Sequence, residues 1–219
     1  MAGSPTSDPA FPRIGVLALQ GDFREHLAVL RGLGADAVAV RRPEELDALD
    51  GLVIPGGEST VMDKLSRAFG LAEPLKRAIA DGLSVYGTCA GLIMLADRIV
   101  DGVAGQHSLG GLDVTVRRNA FGNQLDSFET DLAVAVVGET PIHAVFIRAP
   151  IVEECGAAVS VLAALDDGRV VAVEQGNLLG TSFHPEITGD HRFHEYFLSR
   201  VRATMATRAV ADGVAATAR

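Results

Sequence analysis

The sequence predicts a single-domain α/β protein, a three-layer sandwich around a mostly parallel or mixed sheet. Three observations carry this. Short apolar runs alternate with helical stripes through the first half of the chain, and Gly-rich turns close the runs. No stretch of the 219 residues is long and polar enough to be a linker between two domains. The composition agrees, because 24 glycines, no tryptophan and 5% aromatics favour an Ala/Val/Leu/Gly-rich α/β protein over an aromatic-lined sandwich.

The elements follow in order. Residues 1–12 carry three prolines and no apolar core run, so they read as a disordered tail and not as a signal or transit peptide. The domain itself is expected over residues 13–208, with a flexible Ala-rich tail over 209–219. Residues 14–19 form a short apolar run that stops at Gln20-Gly21, as a buried parallel strand does. Asp22 and Glu25 have the spacing of a capping box, and Phe23, Leu27 and Leu30 stripe the helix they open. Residues 36–40 read as a second strand, 43–49 as a short helix, and 51–54 as a third strand ending at Pro55-Gly56-Gly57. Ser59 caps a further helical stretch, and Leu75, Ala78 and Ile79 stripe a helix that ends at Gly82. A fourth strand over 83–86 runs into Gly87-Thr88-Cys89-Ala90-Gly91 and a helical segment over 92–96.

The second half changes texture. Short β-like runs at 112–116, 132–137, 143–147, 159–163, 170–173 and 178–183 predict a mixed or antiparallel extension of the sheet. A helix over 195–205, with Phe193, Phe197, Leu198 and Val201 at helical spacing, closes the fold.

The charge balance of 19 Lys plus Arg against 28 Asp plus Glu, a formal −9, argues against nucleic acid. No apolar run approaches the ~20 residues a membrane span needs. Two cysteines make no disulfide framework, which fits a reducing cytoplasm.

Cys89 is the strongest chemical candidate. It sits in a G-x-C-x-G that leaves an apolar strand and enters a helix, a nucleophile elbow with cysteine in place of serine. Small neighbours let the tight turn pack, and a helix start favours thiolate over thiol. A buried cysteine in a Gly-rich turn is the bland alternative; Cys155 has no such setting, and a structural role is the preferred reading for it. The base candidate is His184, at the end of an apolar strand. In Phe183-His184-Pro185-Glu186 an extended backbone projects His184 and Glu186 to one side, so the carboxylate can fix the ring tautomer. Pro55-Gly56-Gly57-Glu58-Ser59-Thr60 stands at the carboxyl end of a strand, where its glycine amides and that of Ala90 can donate to an oxyanion or cradle a phosphate. A plain turn before a Ser-capped helix is the alternative there. The glycine patterns of nucleotide-binding loops are missing.

Weaker candidates are His191 and His194, spaced i, i+3, which lack further metal ligands and read as a solvated helix start. His26, His107 and His143 show no partner in the sequence. Arg117-Arg118-Asn119 and Ile147-Arg148 each follow a β-like run, where an arginine can read a carboxylate or simply lie on the surface. No metal and no cofactor is expected.

These residues resemble the class I (triad) glutamine amidotransferases, and within them the PdxT/SNO family of glutaminase subunits of pyridoxal 5′-phosphate synthase. The resemblance rests on Ile14-Gly-Val-Leu-Ala-Leu-Gln-Gly21, Pro55-Gly-Gly-Glu-Ser-Thr60, Gly87-Thr-Cys-Ala-Gly91, Arg118-Asn-Ala-Phe-Gly-Asn-Gln124 with Ser127-Phe-Glu129, and Phe183-His-Pro-Glu186. It spans roughly residues 14–200. It implies a flavodoxin-like fold, Cys89 as nucleophile, His184 as base, Glu186 as its orienter, and Gly56, Gly57, Glu58, Arg118, Ile147 and Arg148 as holders of L-glutamine. It also implies Gly57 and Ala90 as oxyanion donors. The implied partner is a synthase subunit of the PdxS/SNZ family in a large heteromeric complex, which receives ammonia. Two alternatives stay open at this point: a glutaminase serving another synthase, such as imidazole glycerol phosphate synthase, and a non-catalytic relative in which Cys89 is a redox sensor or a packed residue.

Overall fold

The computed structural model describes residues 11–120 and 127–217, with side chains to residue 210. Residues 1–10 of the expected tail and residues 121–124 of the Arg118 segment lie outside the described residues.

The first half folds as the periodicity requires. Strands β1 (Arg13–Leu17), β2 (Asp36–Val40), β3 (Gly51–Ile54) and β4 (Ser84–Thr88) alternate with helices α1 (Phe23–Gly32), α2 (Ser59–Ala68) and α3 (Ala72–Ala80). The short helix expected over 43–49 is one 3-10 turn, Pro43–Glu45. After β4 come α4 (Ala90–Leu95), β5 (Ala96–Val100), β6 (Leu112–Arg117), β7 (Ser127–Leu132), β8 (Ile142–Ile147), β9 (Ile151–Cys155), β10 (Ser160–Ala164), β11 (Val170–Gln175), β12 (Leu178–Thr181) and α5 (Arg192–Thr217).

Ten strands form one mixed sheet in the order β2-β1-β3-β4-β12-β11-β9-β6-β5, with β10 pairing β11 at the side, while β7 and β8 form a separate hairpin. β1, β2, β3, β4 and β12 run parallel, and the antiparallel pairs gather around β11, β9 and β6. Residues alternate between two cores, as strands buried on both faces demand. Leu52, Ile54 and Val85 pack with Met62, Leu71 and Leu75 on one face. Val53, Tyr86 and Leu179 pack on the other with Leu30, Phe193, Phe197 and the β7–β8 hairpin.

Three further expectations are corrected, and two strands stand where none was expected. The strand expected over 132–137 ends at Leu132, and Ala135–Val137 is a 3-10 turn. β7 instead uses the polar stretch before it, whose side chains alternate along a two-stranded ribbon. β5 and β9 went unread because Asp97, Arg98, Glu153 and Glu154 interrupt their apolar pattern on exposed positions. α5 continues past the expected end at Met205, through the region expected as a flexible tail, to Thr217. The Asp22–Glu25 capping box does not form: Asp22 precedes α1 without a side-chain cap.

The chain order reverses at β1, which lies between β2 and β3. Such a switch point opens a crevice at the carboxyl ends of the strands, where open α/β sheets place ligands. Here the loops after β1, β3, β4 and β12 meet there. Among the described residues no helix is long and apolar enough to cross a membrane.

Candidate active site

Cys89 occupies the turn between β4 and α4 with φ 47° and ψ −102°, a region an L-residue enters only under strain. Neighbouring backbone holds it there. Its amide donates to the Thr181 carbonyl of β12 at 2.7 Å, and its carbonyl accepts from Ile93 at 3.4 Å. The flanking glycines are required sterically, since a Cβ on Gly91 would lie 2.0 Å from the Ile54 carbonyl oxygen and one on Gly87 2.5 Å from the Gly91 carbonyl. Strain and close packing together hold the thiol at the top of the sheet.

His184 leaves the end of β12, its amide bonded to the Val145 carbonyl at 3.0 Å. Its Nδ1 meets Glu186 Oε1 at 2.7 Å, and both side chains are buried. The ring and Cys89 line the same cleft. Burial alone would lower the pKa of the ring. Hydrogen bonds and charge from Cys89 and Glu186 outweigh it and push the value up to about 10, so His184 keeps its proton through the neutral range. The i, i+2 geometry read from the tripeptide is therefore the geometry found. Of the three residues implied as a triad, His184 and Glu186 are in contact and Cys89 shares a cleft with His184.

The loop after β3 supplies the next wall. Glu58, not Ser59, is the N-cap of α2: its carboxylate accepts from the amides of Thr60 at 3.0 Å and Val61 at 2.8 Å. Burial raises the Glu58 pKa, but those amides and Arg118 more than offset it and hold the carboxyl below its usual range. Arg118 Nη2 lies 2.9 Å from Glu58 Oε1. Gln20 accepts the Glu58 amide at 2.7 Å, tying the loop after β1 to the loop after β3.

Gly57, Glu58, Cys89, Arg118, Ile147, Arg148 and His184 line one cleft of about 390 Å³. Asn119 (φ 48°) and Arg148 (φ 43°) in its wall are also held in left-handed backbone. Glu186 lies buried behind His184, and Ala90 follows Cys89 at the start of α4. Gly56 lies under the imidazole, where a Cβ would be 2.4 Å from His184 Cε1 and 2.9 Å from Nδ1. Gly56→Ala therefore displaces the ring from its partners. A misplacement of about 1 Å costs on the order of 100-fold in kcat, and the lost support of the His184 proton lowers the melting temperature as well, when turnover and thermal unfolding are measured side by side.

Sequence reasoning missed several contributors. Gln20 and Asp22 line the cleft. Asp22 Oδ2 is 3.6 Å from His184 Nδ1, and its amide bonds the Gly56 carbonyl at 3.2 Å. Gln106 joins Arg118 (2.8 Å) to Ser59 (3.0 Å). His194, expected at a solvated helix start, is fully buried, and so is His26, which showed no partner; their rings meet at 2.9 Å. His143 is exposed between Glu129 and Asp131, which raise its pKa. Cys155 is exposed at the end of β9. Asp22, His184 and Glu186 each place a potential metal-ligating atom within 4.8 Å of the others. His184 Nδ1 and Glu186 Oε1 are bonded to each other, which is the arrangement of an acid–base pair.

This geometry places a cysteine on a strained turn beside a histidine whose other nitrogen is fixed by a buried carboxylate. It suits attack on a carbonyl carbon followed by protonation of a leaving group. Comparison with known proteins agrees. A family model described as the SNO glutamine amidotransferase family matches residues 16–203. The pyridoxal 5′-phosphate synthase subunit PdxT of Leifsonia xyli subsp. xyli is 71% identical over 201 residues, covering 92% of this chain and 98% of that protein. The PdxT subunit of Clavibacter sepedonicus is 67% identical over 202 residues, covering 92% and 97%. A crystal structure described as a glutamine amidotransferase superposes with a TM-score of 0.80 at 50% identity, covering 86% of this chain and 98% of the other. The structure of PurLQS from Thermotoga maritima shares the fold at a TM-score of 0.60 and 20% identity, covering 86% of this chain and 98% of the other.

Proposed function

The chain belongs to the SNO glutamine amidotransferase family, and from that premise we propose that it is the glutaminase subunit of a pyridoxal 5′-phosphate synthase. It hydrolyses L-glutamine to L-glutamate and ammonia with Cys89, His184 and Glu186. The observation that carries this reading is the His184–Glu186 pair at 2.7 Å, with Cys89 in the same cleft as His184 and Glu58, Arg118 and Arg148 in its wall. The match of the family model to residues 16–203 supports an amidotransferase unit over residues 13–208.

An α-amino acid presents one ammonium and one carboxylate, and the cleft wall offers both complementary charges. Glu58, Arg118 and Arg148, with the backbone of Gly56, Gly57 and Ile147, hold the glutamine so that its side-chain amide reaches Cys89. Sγ attacks the amide carbon and forms the C–S bond. The oxygen takes up the negative charge against the amides of Gly57 and Ala90, each such donor being worth about 3 to 4 kcal/mol in the transition state. His184 gives its proton to the amide nitrogen, the C–N bond breaks, and ammonia leaves a γ-glutamyl thioester. Water then gives a proton to His184 and attacks the thioester carbon. The C–S bond breaks, glutamate departs, and the cysteine is regenerated.

Ammonia released into bulk water is protonated and lost as a nucleophile, so a sheltered path to an acceptor is required. The acceptor proposed is a PdxS/SNZ-family synthase subunit in a heteromeric complex. The test is glutamate release from glutamine by this chain with and without that partner, using Cys89→Ala as control. Release that rises with the partner and vanishes in the control is expected. Equal release with and without it removes the proposed partner, and release that survives in the control removes the nucleophile.

A further inference from the structure

We propose that His26, held by His194, is a positioning residue that orients the Glu186 carboxylate by its charge, extending the site inward as a chain of polar contacts His194–His26–Glu186–His184. This rests on the reading of Cys89, His184 and Glu186 as the reacting set.

The two rings come from different helices, His26 from α1 and His194 from the first turn of α5, and neither is exposed. His26 Nδ1 lies 2.9 Å from His194 Nε2. Its other nitrogen, Nε2, is 3.2 Å from Thr88 Oγ1, on the residue before Cys89, and 3.5 Å from Glu186 Oε2. Glu186 needs such a neighbour. Its Oε1 is taken by His184, and among the described residues Oε2 is a buried oxygen without a hydrogen-bond partner. His26 Nε2 stands within ion-pair distance of that oxygen.

The tautomers follow from this environment. If His26 carried its proton on Nδ1, its bare Nε2 would face the carboxylate, and His194 would bury an N–H on Nδ1, an atom with no partner among the described residues. With the proton on His26 Nε2, that N–H points its charge at Glu186 Oε2 and Thr88 Oγ1. His194 Nε2–H then donates to His26 Nδ1, and the atom left unpartnered is a lone pair, the less costly of the two. Burial lowers the pKa of both rings, that of His194 to about 3, so each stays neutral and supplies one directed donor. A core at this place needs no polar rings; Tyr86 packs on His194 and on Phe193. Two neutral imidazoles in series make sense where a buried carboxylate must be held in one orientation.

The groups facing the chain define what a test will read. Glu186 faces His184, His26 and, at longer range, Tyr86, while His184 faces Cys89, Glu186 and Asp22. The test uses the chain with its synthase partner for glutamine turnover against pH, and the titration of the His184 ring followed by NMR, with Glu186→Gln as reference. His26→Leu is expected to lower kcat on the order of 10- to 100-fold with KM for glutamine within about twofold, as loss of a supporting partner does. A looser Glu186 supports the His184 proton less, so the alkaline limb of turnover and the titration of the ring both shift to lower pH. His26→Gln, whose amide nitrogen reaches the place of Nε2, recovers most of the turnover. Wild-type kcat and pH profile in His26→Leu, or equal loss in the Leu and Gln variants, overturns the proposal. If His26→Leu does not fold, His194→Phe keeps the ring volume and removes the donor to His26. The same shift is then expected, and its absence overturns the proposal. A Glu186→Gln variant with unchanged turnover overturns the triad reading itself and is distinguishable from either result.

Discussion

Cys89→Ala and Cys89→Gly both abolish glutamate release from glutamine, by on the order of 10⁴-fold or more, as loss of a covalent nucleophile does. They differ in stability. The backbone of residue 89 is held at φ 47° and ψ −102°, where an L-residue is strained and glycine is not. Alanine keeps that strain. Glycine relieves it and is expected to stabilise the fold by about 1 to 2 kcal/mol, a rise of about 2 to 6 °C in melting temperature for a domain of this size. Turnover and thermal unfolding of the two variants check both halves. A glycine variant no more stable than the alanine variant means that the turn is unstrained, and residual turnover in either moves the nucleophile elsewhere.

The same substitution reads the histidine. The pKa of His184 is raised to about 10, against burial, by Cys89 and Glu186 together. Removing the thiol removes one support, so the ring in Cys89→Ala titrates at lower pH, which its NMR shift measures directly. The sign for stability follows from linkage. A folded-state pKa above the ordinary value of about 6.5 contributes stability that is complete below that value and is lost as pH rises through about 10. Glutamine turnover that depends on the protonated ring is lost over the same alkaline range.

What the sequence could reveal was what is written locally. Strands buried on both faces announce themselves as apolar runs, so β1, β3 and β4 were legible, and the Gly-x-Cys-x-Gly turn after β4 was legible because its glycines answer a steric demand. His184 and Glu186 were legible because two residues of extended chain suffice to align them. Asp22 misled, since its spacing to Glu25 is that of a capping box while its carboxylate stands 3.6 Å from His184. Ser59 misled in the same way, because Glu58 reaches the amides that a serine one residue later was expected to cap. β9 hid behind Glu153 and Glu154, which face outward on a strand whose buried residue is Val152. The pair His26 and His194 is separated by 168 residues, and no local pattern foretells a contact made by packing α1 and α5 on one face of the sheet. Lone polar residues on apolar helical stripes were the available signal.

Gly91→Ala is expected to cost about 3 kcal/mol or more, lowering the melting temperature by about 6 to 12 °C, and to remove activity with it. The added Cβ would stand 2.0 Å from the Ile54 carbonyl oxygen and 3.2 Å from the Ile54 Cβ. Neither can move aside cheaply. β3, which ends at Ile54, is paired on one edge to β1 and on the other to β4. Relief must come from α4, whose start carries Cys89 and Ala90, so the thiol and the proposed oxyanion donor move away from His184 together. Gly32→Ala is the matched control: its Cβ meets nothing within 4 Å at the end of α1, and it should hold or gain up to about 1 kcal/mol through a less flexible unfolded chain. Thermal unfolding of the two variants separates a general intolerance of added methyl groups from a demand confined to the elbow. If Gly91→Ala melts with the wild type, helix and strand do not approach as closely as 2.0 Å implies. If it melts early yet turns over glutamine at the wild-type rate, the position of Cys89 does not depend on the packing of α4 against β3. The expected pairing of both losses would show that the same close approach that stabilises this corner of the sheet also places the nucleophile.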